Sequence, residues 1–456
     1  MLRIYDTMAG RKVEFEPREP RRVSMYVCGP TVYDVPHLGH GRTALAFDMM
    51  RRYLEWSGLE VTHVTNVTDV EDRIIARAAA EGSTETDVAE RFAAAYWDQM
   101  DRLGVRRPDE TPYATAFIGP MLELIAELVV TGHAYVIEGD GVYFAVETYE
   151  GYGALSHRKL ADLVDAAGAR VAVAERKRSP VDFALWKTAK PGEPSWDSPW
   201  GPGRPGWHIE CTAMSLQILG EQFDIHGGGN DLVFPHHENE RAQAEAAGHH
   251  FARHWLHSAM VTVGGEKMAK SLGNYTMLAD ALDAHGSRAF RLRVLQTHYR
   301  SPTELGAGEL EAASRALGGL DALVRRARAA GFHVSNGLDA GAVQAFRDAM
   351  DDDFGTPAAV AVIFEAVRNA NAAIDSGDAA RAASLVATVK ALAAVLGLEL
   401  DDGAGNDHDG DVDALVSERD AARRTGDFAA ADRVRDELAR QGVTLEDTPT
   451  GTIWHR

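Results

Sequence analysis

The chain has 456 residues, 45% of them hydrophobic, and 47 Lys and Arg against 68 Asp and Glu, a formal net charge of -21. That length buries several cores, so two to four domains are expected, and the acidic balance excludes a generally basic nucleic-acid binder, because phosphate binding needs Lys and Arg. The opening Met-Leu-Arg-Ile-Tyr-Asp lacks a leader pattern, no apolar window is long enough to span a bilayer, and the two cysteines, Cys28 and Cys211, lie far apart, which together predict a cytoplasmic protein with reduced thiols.

In chain order, an apolar run ends at Cys28, Gly29-Pro30 breaks it, and His37 and His40 stand three apart where an amphipathic segment begins. This reads as strand, turn and helix start, and the amides and dipole of a helix N-terminus attract phosphate. Residues 44–56 carry Leu45, Met49, Met50, Tyr53 and Leu54 at helical spacing, Ser57-Gly58 stops the helix, and 59–64 reads as a second strand. Strand, helix, strand predicts a parallel crossover unit of an α/β fold, with ligands at the carboxyl ends of the strands, where Cys28 and residues 65–69 fall. Residues 70–132 read as helical. The irregular stretch 134–200, with a short strand at 141–146, reads as an insertion, after which the sheet resumes at Gly206 with a strand at 223–226 that runs into Gly227-Gly228-Gly229-Asn230-Asp231.

Beyond Ser301 helices dominate: Leu310, Leu317, Leu320 and Val324 mark one, Leu385, Val389, Leu392 and Leu396 another, and Thr356-Pro357 starts a third. A helical bundle is expected. Residues 401–410 form a polar linker, and 412–440 read as a helical hairpin broken near Gly426, with Arg419, Arg423, Arg424, Arg433, Arg435 and Arg440 giving this tail a basic character.

Four groups of residues carry chemistry. Gly227-Gly228-Gly229 lets a nucleotide approach the backbone and Asp231 can accept from ribose hydroxyls, although glycine runs are also ordinary tight turns. Lys267 and Lys270, three apart after Gly264-Gly265, can close over a polyphosphate; their bland reading is a solvated loop. His236 and Glu240 stand four apart, sharing a helix face, with His237 pointing elsewhere, and together with Cys28 and Cys211 they make a donor set compatible with zinc. The competing reading has both cysteines as small buried hydrophobes. His208 and His226 lie near this site as further histidines, catalytic or simply hydrogen-bonded, and Trp207 walls a pocket or belongs to the core.

As a set, these residues resemble a known family. His37-Leu38-Gly39-His40 is similar to the HIGH signature, and Lys267-Met268-Ala269-Lys270-Ser271 to the KMSKS signature, of class I aminoacyl-tRNA synthetases. Tyr-Val-Cys-Gly-Pro-Thr-Val-Tyr-Asp, Gly-Trp-His-Ile-Glu-Cys, Phe-Pro-His-His-Glu-Asn-Glu and the terminal Gly-Thr-Ile-Trp narrow the resemblance to the cysteinyl-tRNA synthetases. Ala269 departs from the usual Ser. The resemblance implies a Rossmann-type parallel-sheet catalytic domain in two halves, 1–115 and 206–275, around a connective insertion at 116–205. A stem-contact region at 276–308, a helical bundle at 309–400 and a small anticodon-binding domain at 411–456 follow.

It further implies activation of L-cysteine with ATP and Mg2+, transfer to tRNA(Cys), and a monomer without membrane contact. In that scheme His37, His40, Lys267 and Lys270 are the catalytic groups, and His37, His40, Gly229, Asp231 and Lys270 bind ATP. Cys28, Gly29, Thr68 and Trp207 meet the substrate, and Cys28, Cys211, His236 and Glu240 hold one zinc ion per chain. The rivals are a cysteine ligase of mycothiol synthesis, which joins cysteine to an amino sugar and lacks the C-terminal extension, and a non-catalytic tRNA-binding paralogue.

Overall fold

Burial sets the first strand: in Arg22–Val27 the side chains of Val23, Met25, Tyr26 and Val27 are all buried, as expected of a strand covered on both faces. It lies inside a four-stranded sheet ordered His254–Ser258, Ile225–Gly229, Arg22–Val27, Glu60–Thr65, with every neighbouring pair parallel. From Arg22–Val27 the chain moves to Glu60–Thr65 on one side, and Ile225–Gly229 takes the other side. The sheet therefore has a topological switch point beside Val27, and a crevice opens at the carboxyl ends of these strands. This computed structural model describes residues 1–168, 176–268, 275–332, 337–401, 410–448 and 451–455. They fall into two units, Met1–Glu309 with Asp351–Phe354, and Leu310–Met350 with Gly355–Arg456.

In the first unit the helix Leu38–Trp56 covers one side of the sheet. It starts where His37 and His40 mark a helix start in the sequence, and its cap is His37 rather than one of the usual short polar residues. The glycine run does not follow the strand as a turn; it forms the end of the strand itself, Ile225–Gly229. A Cβ on Gly227 would lie 2.3 Å from the Phe47 ring, so the close seating of Leu38–Trp56 on the sheet requires glycine there. The region 70–132 is not continuously helical. Helices Asp72–Glu81, Glu85–Arg102 and Ile118–Val130 are separated by an extended stretch that bridges the sheet edge at Val64 with Glu110 and Val67 with Tyr113. Gly104, with φ +66°, and the prolines Pro108 and Pro112 explain the break.

The stretch read as irregular contains an ordered antiparallel sheet, Ala134–Ile137, Gly141–Phe144, Phe183–Thr188 and Gly203–Pro205. Buried Asp182 ties it together, accepting from the Tyr135 hydroxyl at 2.7 Å and from the amides of Val146 and Ser179. Helices Ile118–Val130, Trp207–Leu219 and Glu238–Ala247 pack on one another through Met121, Leu124, Ile125, Met214 and Ala242.

Asp351–Phe354 also belongs to the first unit. Asp353 is fully buried, and its carboxylate accepts from the Tyr5 amide at 2.8 Å, the Tyr299 hydroxyl at 2.8 Å and the Arg300 guanidinium at 2.7 Å. Asp353 and Phe354 both have positive φ, 66° and 52°, an unfavourable backbone state for such residues that those contacts offset.

In the second unit, Ala340–Asp351, Thr356–Ser376 and Ala379–Val395 bury Phe346, Met350, Ile363, Leu385, Val389 and Leu392, and Pro357 sits in the first turn of its helix. Most of the expected linker, residues 402–409, lies outside the described residues. The helical hairpin is Gly410–Thr425 and Phe428–Arg440, and a β-hairpin the sequence reading lacked, Thr444–Thr448 with Gly451–His455, follows it. The basic face expected of this tail is reduced. Arg419 is buried and paired with Asp447 at 2.8 Å, Arg423 also reaches Asp447, and Arg435 pairs with Asp432.

One strand residue makes a measurable pH dependence. His63, 6% exposed, has its pKa lowered to about 4 by burial and then by the Arg51 charge. Because the unfolded chain takes up this proton near pH 6.5, its stabilising effect is complete above that value and is lost as pH falls towards 4. His63→Gln should remove up to about 3 kcal/mol of the acid-induced loss of stability measured by urea unfolding between pH 7 and pH 4. Identical pH profiles for both proteins would refute the assignment.

Candidate active site and metal centre

Strand Arg22–Val27 delivers Cys28 to the crevice, where its amide donates to the Gly227 carbonyl at 2.9 Å. The chain turns immediately. Gly29 donates its amide to Asn66 Oδ1 at 2.9 Å, and a Cβ there would lie 1.7 Å from the Asn66 carbonyl oxygen, so only glycine allows the two strand ends to approach this closely. A cavity of about 400 Å³ lies over this point, lined among others by Cys28, Gly29, His37, His40, Trp207 and Asp231. That volume suits a small ligand of nucleotide size.

At the helix start, the two histidines cap each other's backbone. His37 Nδ1 accepts from the Gly39 amide at 3.1 Å, and His40 Nδ1 accepts from the His37 amide at 3.1 Å. The rings stack with centroids 3.9 Å apart. An acceptor at Nδ1 of a neutral imidazole leaves its proton on Nε2, so each ring presents an Nε2–H donor. His40 has its pKa lowered to about 3 by burial and by His37, so it acts as a neutral donor at physiological pH. The first-turn amides are already engaged, Leu38 with the Thr276 carbonyl, Gly39 with His37 Nδ1, and His40 and Gly41 with the His37 carbonyl, so the two Nε2–H groups and the helix dipole are what this site offers an anion, without formal positive charge.

Behind Cys28, four elements converge. Cys28 ends a strand, Cys211 lies in Trp207–Leu219, His236 lies in the turn Val233–His237 and Glu240 in the first turn of Glu238–Ala247. Donor atoms of these four buried residues all lie within 4.8 Å of one another. Glu240 Oε1 is 3.4 Å from Cys28 Sγ and 3.1 Å from His236 Nε2. Tetrahedral zinc with bonds of 2.0 to 2.3 Å separates its ligand atoms by roughly 3.3 to 3.8 Å, so the donor set fits that ion. Burial pushes the Cys28 thiol well above its usual pKa, and the neighbouring Cys211 and Glu240 push it further. Such a cluster of ionisable groups becomes thiolate only when a cation neutralises it.

His237 does not point elsewhere. With its Nε2 4.0 Å from Glu240 Oε1, it joins Cys28, His226 and Glu240 in a second donor group. One hydrogen bond separates the two sets: His226 spends its Nε2 on the other carboxylate oxygen, Glu240 Oε2, at 2.8 Å, whereas His237, whose Nδ1 bonds His257 Nε2 at 2.8 Å, keeps its Nε2 turned to Glu240. His208 Nδ1 meets His236 Nδ1 at 2.9 Å, which leaves His236 Nε2 facing Glu240. His208 and His226 thus orient two of the candidate ligands, His236 and Glu240, a role that the sequence pattern leaves open.

Trp207 stacks on His236 with centroids 4.2 Å apart and forms a cavity wall. Thr68, expected at the substrate, does not line the cavity; it is buried, its hydroxyl donated to Glu210 Oε2 at 2.7 Å. Glu210 is a further buried carboxyl that the sequence reading passed over. Gly229 and Asp231 line the cavity on the far side of the switch point. Lys267 lies on strand Glu266–Lys267, opposite Thr262, while Ala269 and Lys270 fall outside the described residues.

Residues 14–315 match the tRNA synthetases class I (C) catalytic domain, 345–401 the DALR domain, and 406–454 the cysteinyl-tRNA ligase anticodon binding domain. Over its full length the chain is 50% identical to a cysteine–tRNA ligase of Alkalilimnicola ehrlichii and 48% identical to one of Halorhodospira halophila, each also matched over its full length. Among solved structures, Mycobacterium tuberculosis methionyl-tRNA synthetase with methionyl-adenylate superposes with a TM-score of 0.61 at 15% identity, covering 83% of this chain and 90% of that one. A leucyl-tRNA synthetase complex from Agrobacterium radiobacter gives 0.60 at 12%, covering 84% of each. At these identities the structural likeness concerns the fold: a parallel-sheet α/β domain followed by helices.

The tight turn after Cys28 is open to test. Gly29→Ala should lower the melting temperature by roughly 5 °C or more, because the clash is with backbone that has little room to move. An unchanged melting curve would show that the two strand ends are not held this closely.

Proposed function

The chain belongs to the cysteinyl-tRNA ligase family of class I tRNA synthetases, and from that premise we propose how its residues divide the work of charging tRNA(Cys). The enzyme joins L-cysteine to ATP and passes the cysteinyl group to tRNA(Cys). The observation that carries the assignment is the turn 28–40, which sets a metal-ligating thiol and the two-histidine anion site on one cavity.

In the first step the cysteine carboxylate attacks the α-phosphorus of ATP, the bond to the bridging oxygen breaks, and pyrophosphate leaves with its Mg2+. In the second, a terminal ribose hydroxyl of the tRNA attacks the activated carbonyl and AMP leaves. Neither step needs a nucleophile from the protein, so positioning and charge stabilisation do the work. His37 and His40 donate from Nε2 to phosphate oxygens at the helix start. Lys267 and Lys270 neutralise the leaving pyrophosphate, and with Ala269 between them the loop does so without the usual hydroxyl. Asp231, beside Gly229, accepts from the ribose hydroxyls, and Cys28, Gly29 and Trp207 frame the amino acid.

Cys28, Cys211, His236 and Glu240 hold one zinc ion. A zinc ion there supplies a soft Lewis acid that binds a thiol far better than a hydroxyl, which separates cysteine from serine where shape alone discriminates poorly. His208 and His226 keep two of the ligands aimed at it. Glu210 holds the Thr68 hydroxyl.

The match of residues 406–454 to an anticodon-binding domain favours tRNA over an amino sugar as the acceptor, and the paired His37 and His40 favour catalysis over tRNA binding alone. No helix among the described residues is long and apolar enough to cross a membrane, in keeping with work alongside translation in the cytoplasm.

Cysteine-dependent ATP–pyrophosphate exchange, followed by transfer to purified tRNA or to an amino sugar, tests the function; transfer to the sugar alone would overturn it. Cys211→Ser should lose its zinc by metal analysis and lower cysteine activation by about a hundredfold, the usual scale for an impaired metal site. A zinc-free variant with normal exchange would reject the metal assignment.

A further inference from the structure

Resting on the function above, we propose that Glu304 is a positioning residue for the ATP-dependent step: it clasps the hairpin that carries the second lysine signature and, through its neighbour Thr303, ties that hairpin to the helix of the first signature.

The hairpin is Val261–Val263 paired with Glu266–Lys267, and its turn is Gly264-Gly265, with φ of 66° and 78°. Two successive left-handed residues make a turn that needs glycine and is loose in an unfolded chain. Glu304 fixes it from outside. Its Oε1 accepts from the Gly264 amide at 2.8 Å, and its Oε2 from the Gly265 amide at 3.0 Å and the Thr262 hydroxyl at 2.9 Å. Burial alone would raise the Glu304 pKa, but the Gly265 and Gly264 amides and Thr262 outweigh it, so the carboxylate stays charged at neutral pH. Its donors are those that strengthen most when the acceptor is an anion.

The backbone continues the connection. Thr303–Glu304 runs parallel to Val261–Val263 with Thr262 opposite Glu304, and the Leu305 amide donates to the Thr262 carbonyl at 3.1 Å. Thr303 Oγ1 receives Arg42 Nε at 2.8 Å. Arg42, two residues after His40 and 1% exposed, spends the rest of its guanidinium on the carbonyls of Ala259, Tyr299 and Ser301. One dipeptide, Thr303-Glu304, is therefore gripped from one side by the helix that carries His37 and His40, and grips the turn before Lys267 from the other. Lys267 follows directly on the turn that Glu304 fixes, and a misplacement of about 1 Å at a charge-stabilising group costs roughly a hundredfold in rate.

The test compares full-length wild type with Glu304→Ala and Glu304→Gln, by ATP–pyrophosphate exchange, zinc content and amide hydrogen exchange over residues 261–268. Glu304→Ala should lower kcat/KM for ATP roughly ten- to a hundredfold, with the KM for cysteine and the zinc content unchanged, and should lose protection at the Gly264 and Gly265 amides. Glu304→Gln, which keeps one acceptor oxygen, should fall between the two. Exchange kinetics and amide protection within twofold of wild type would overturn the proposal, as would an equal rise in the cysteine KM or loss of zinc. If Glu304→Ala fails to fold, Glu304→Gln decides by the same criteria. A wild type without cysteine-dependent exchange would instead remove the function on which the proposal rests.

Discussion

Everything near the crevice answers to one electrostatic constraint. Two thiols, a carboxylate and an imidazole are buried within reach of a single point, and burial together with Cys211 and Glu240 raises the cost of ionising Cys28. Four separate chain segments are brought together to build this group, and its charged form is one that a cation would stabilise. The parallel sheet supplies the first ligand at a strand end, and two helices and a kinked turn behind it supply the rest. The imidazoles of His208 and His226 are spent on the ligands themselves, which explains why so many histidines crowd a place where most of them do not touch the substrate cavity.

The phosphate side is built by a different economy of atoms. His37 and His40 are caps before they are anything else, since each gives Nδ1 to a backbone amide of its own helix start. That use dictates which nitrogen carries the proton, so the local fold of a single turn decides the polarity of both donors. The resulting anion site is neutral, which matters in a chain of net charge -21 whose substrates and products are themselves anions. Under the proposed function, formal positive charge comes from the lysine signature, whose first residue, Lys267, lies on a separate hairpin.

How much of this is legible in the sequence depends on the range over which each residue acts. His37 with His40, and His236 with Glu240, are legible as pairs because three- and four-residue spacings bring side chains together at a helix start, although His37 is the cap and His236 lies in the turn before its helix. The glycine run was harder. Glycine signals both a turn and a close approach, and here the approach is made by Phe47, a residue 180 positions away in the chain, so the strand extends through it. His237 also faces Glu240 because the helix begins only at Glu238, two residues later than the four-residue spacing implies, with both His236 and His237 in the preceding turn. Arg419 reads as part of a basic tail from its own segment alone, because its partner, Asp447, lies on a β-hairpin that the local pattern does not announce. Arg42, Glu210, Asp353 and Glu304 carry no short-range signal at all. Each is an ordinary charged residue whose meaning comes from a partner brought near by the fold.

The seat of Asp351–Phe354 has a consequence for how the chain is made. The first unit includes four residues that follow the start of the second, and one of them, Asp353, satisfies the Tyr5 amide, Tyr299 and Arg300 at once. During synthesis the first 309 residues emerge from the ribosome with that buried acceptor still missing. The catalytic half therefore completes itself only after part of the helical half has been translated, and a nascent chain waiting between those two points exposes an uncompensated arginine and tyrosine to the cell's chaperones.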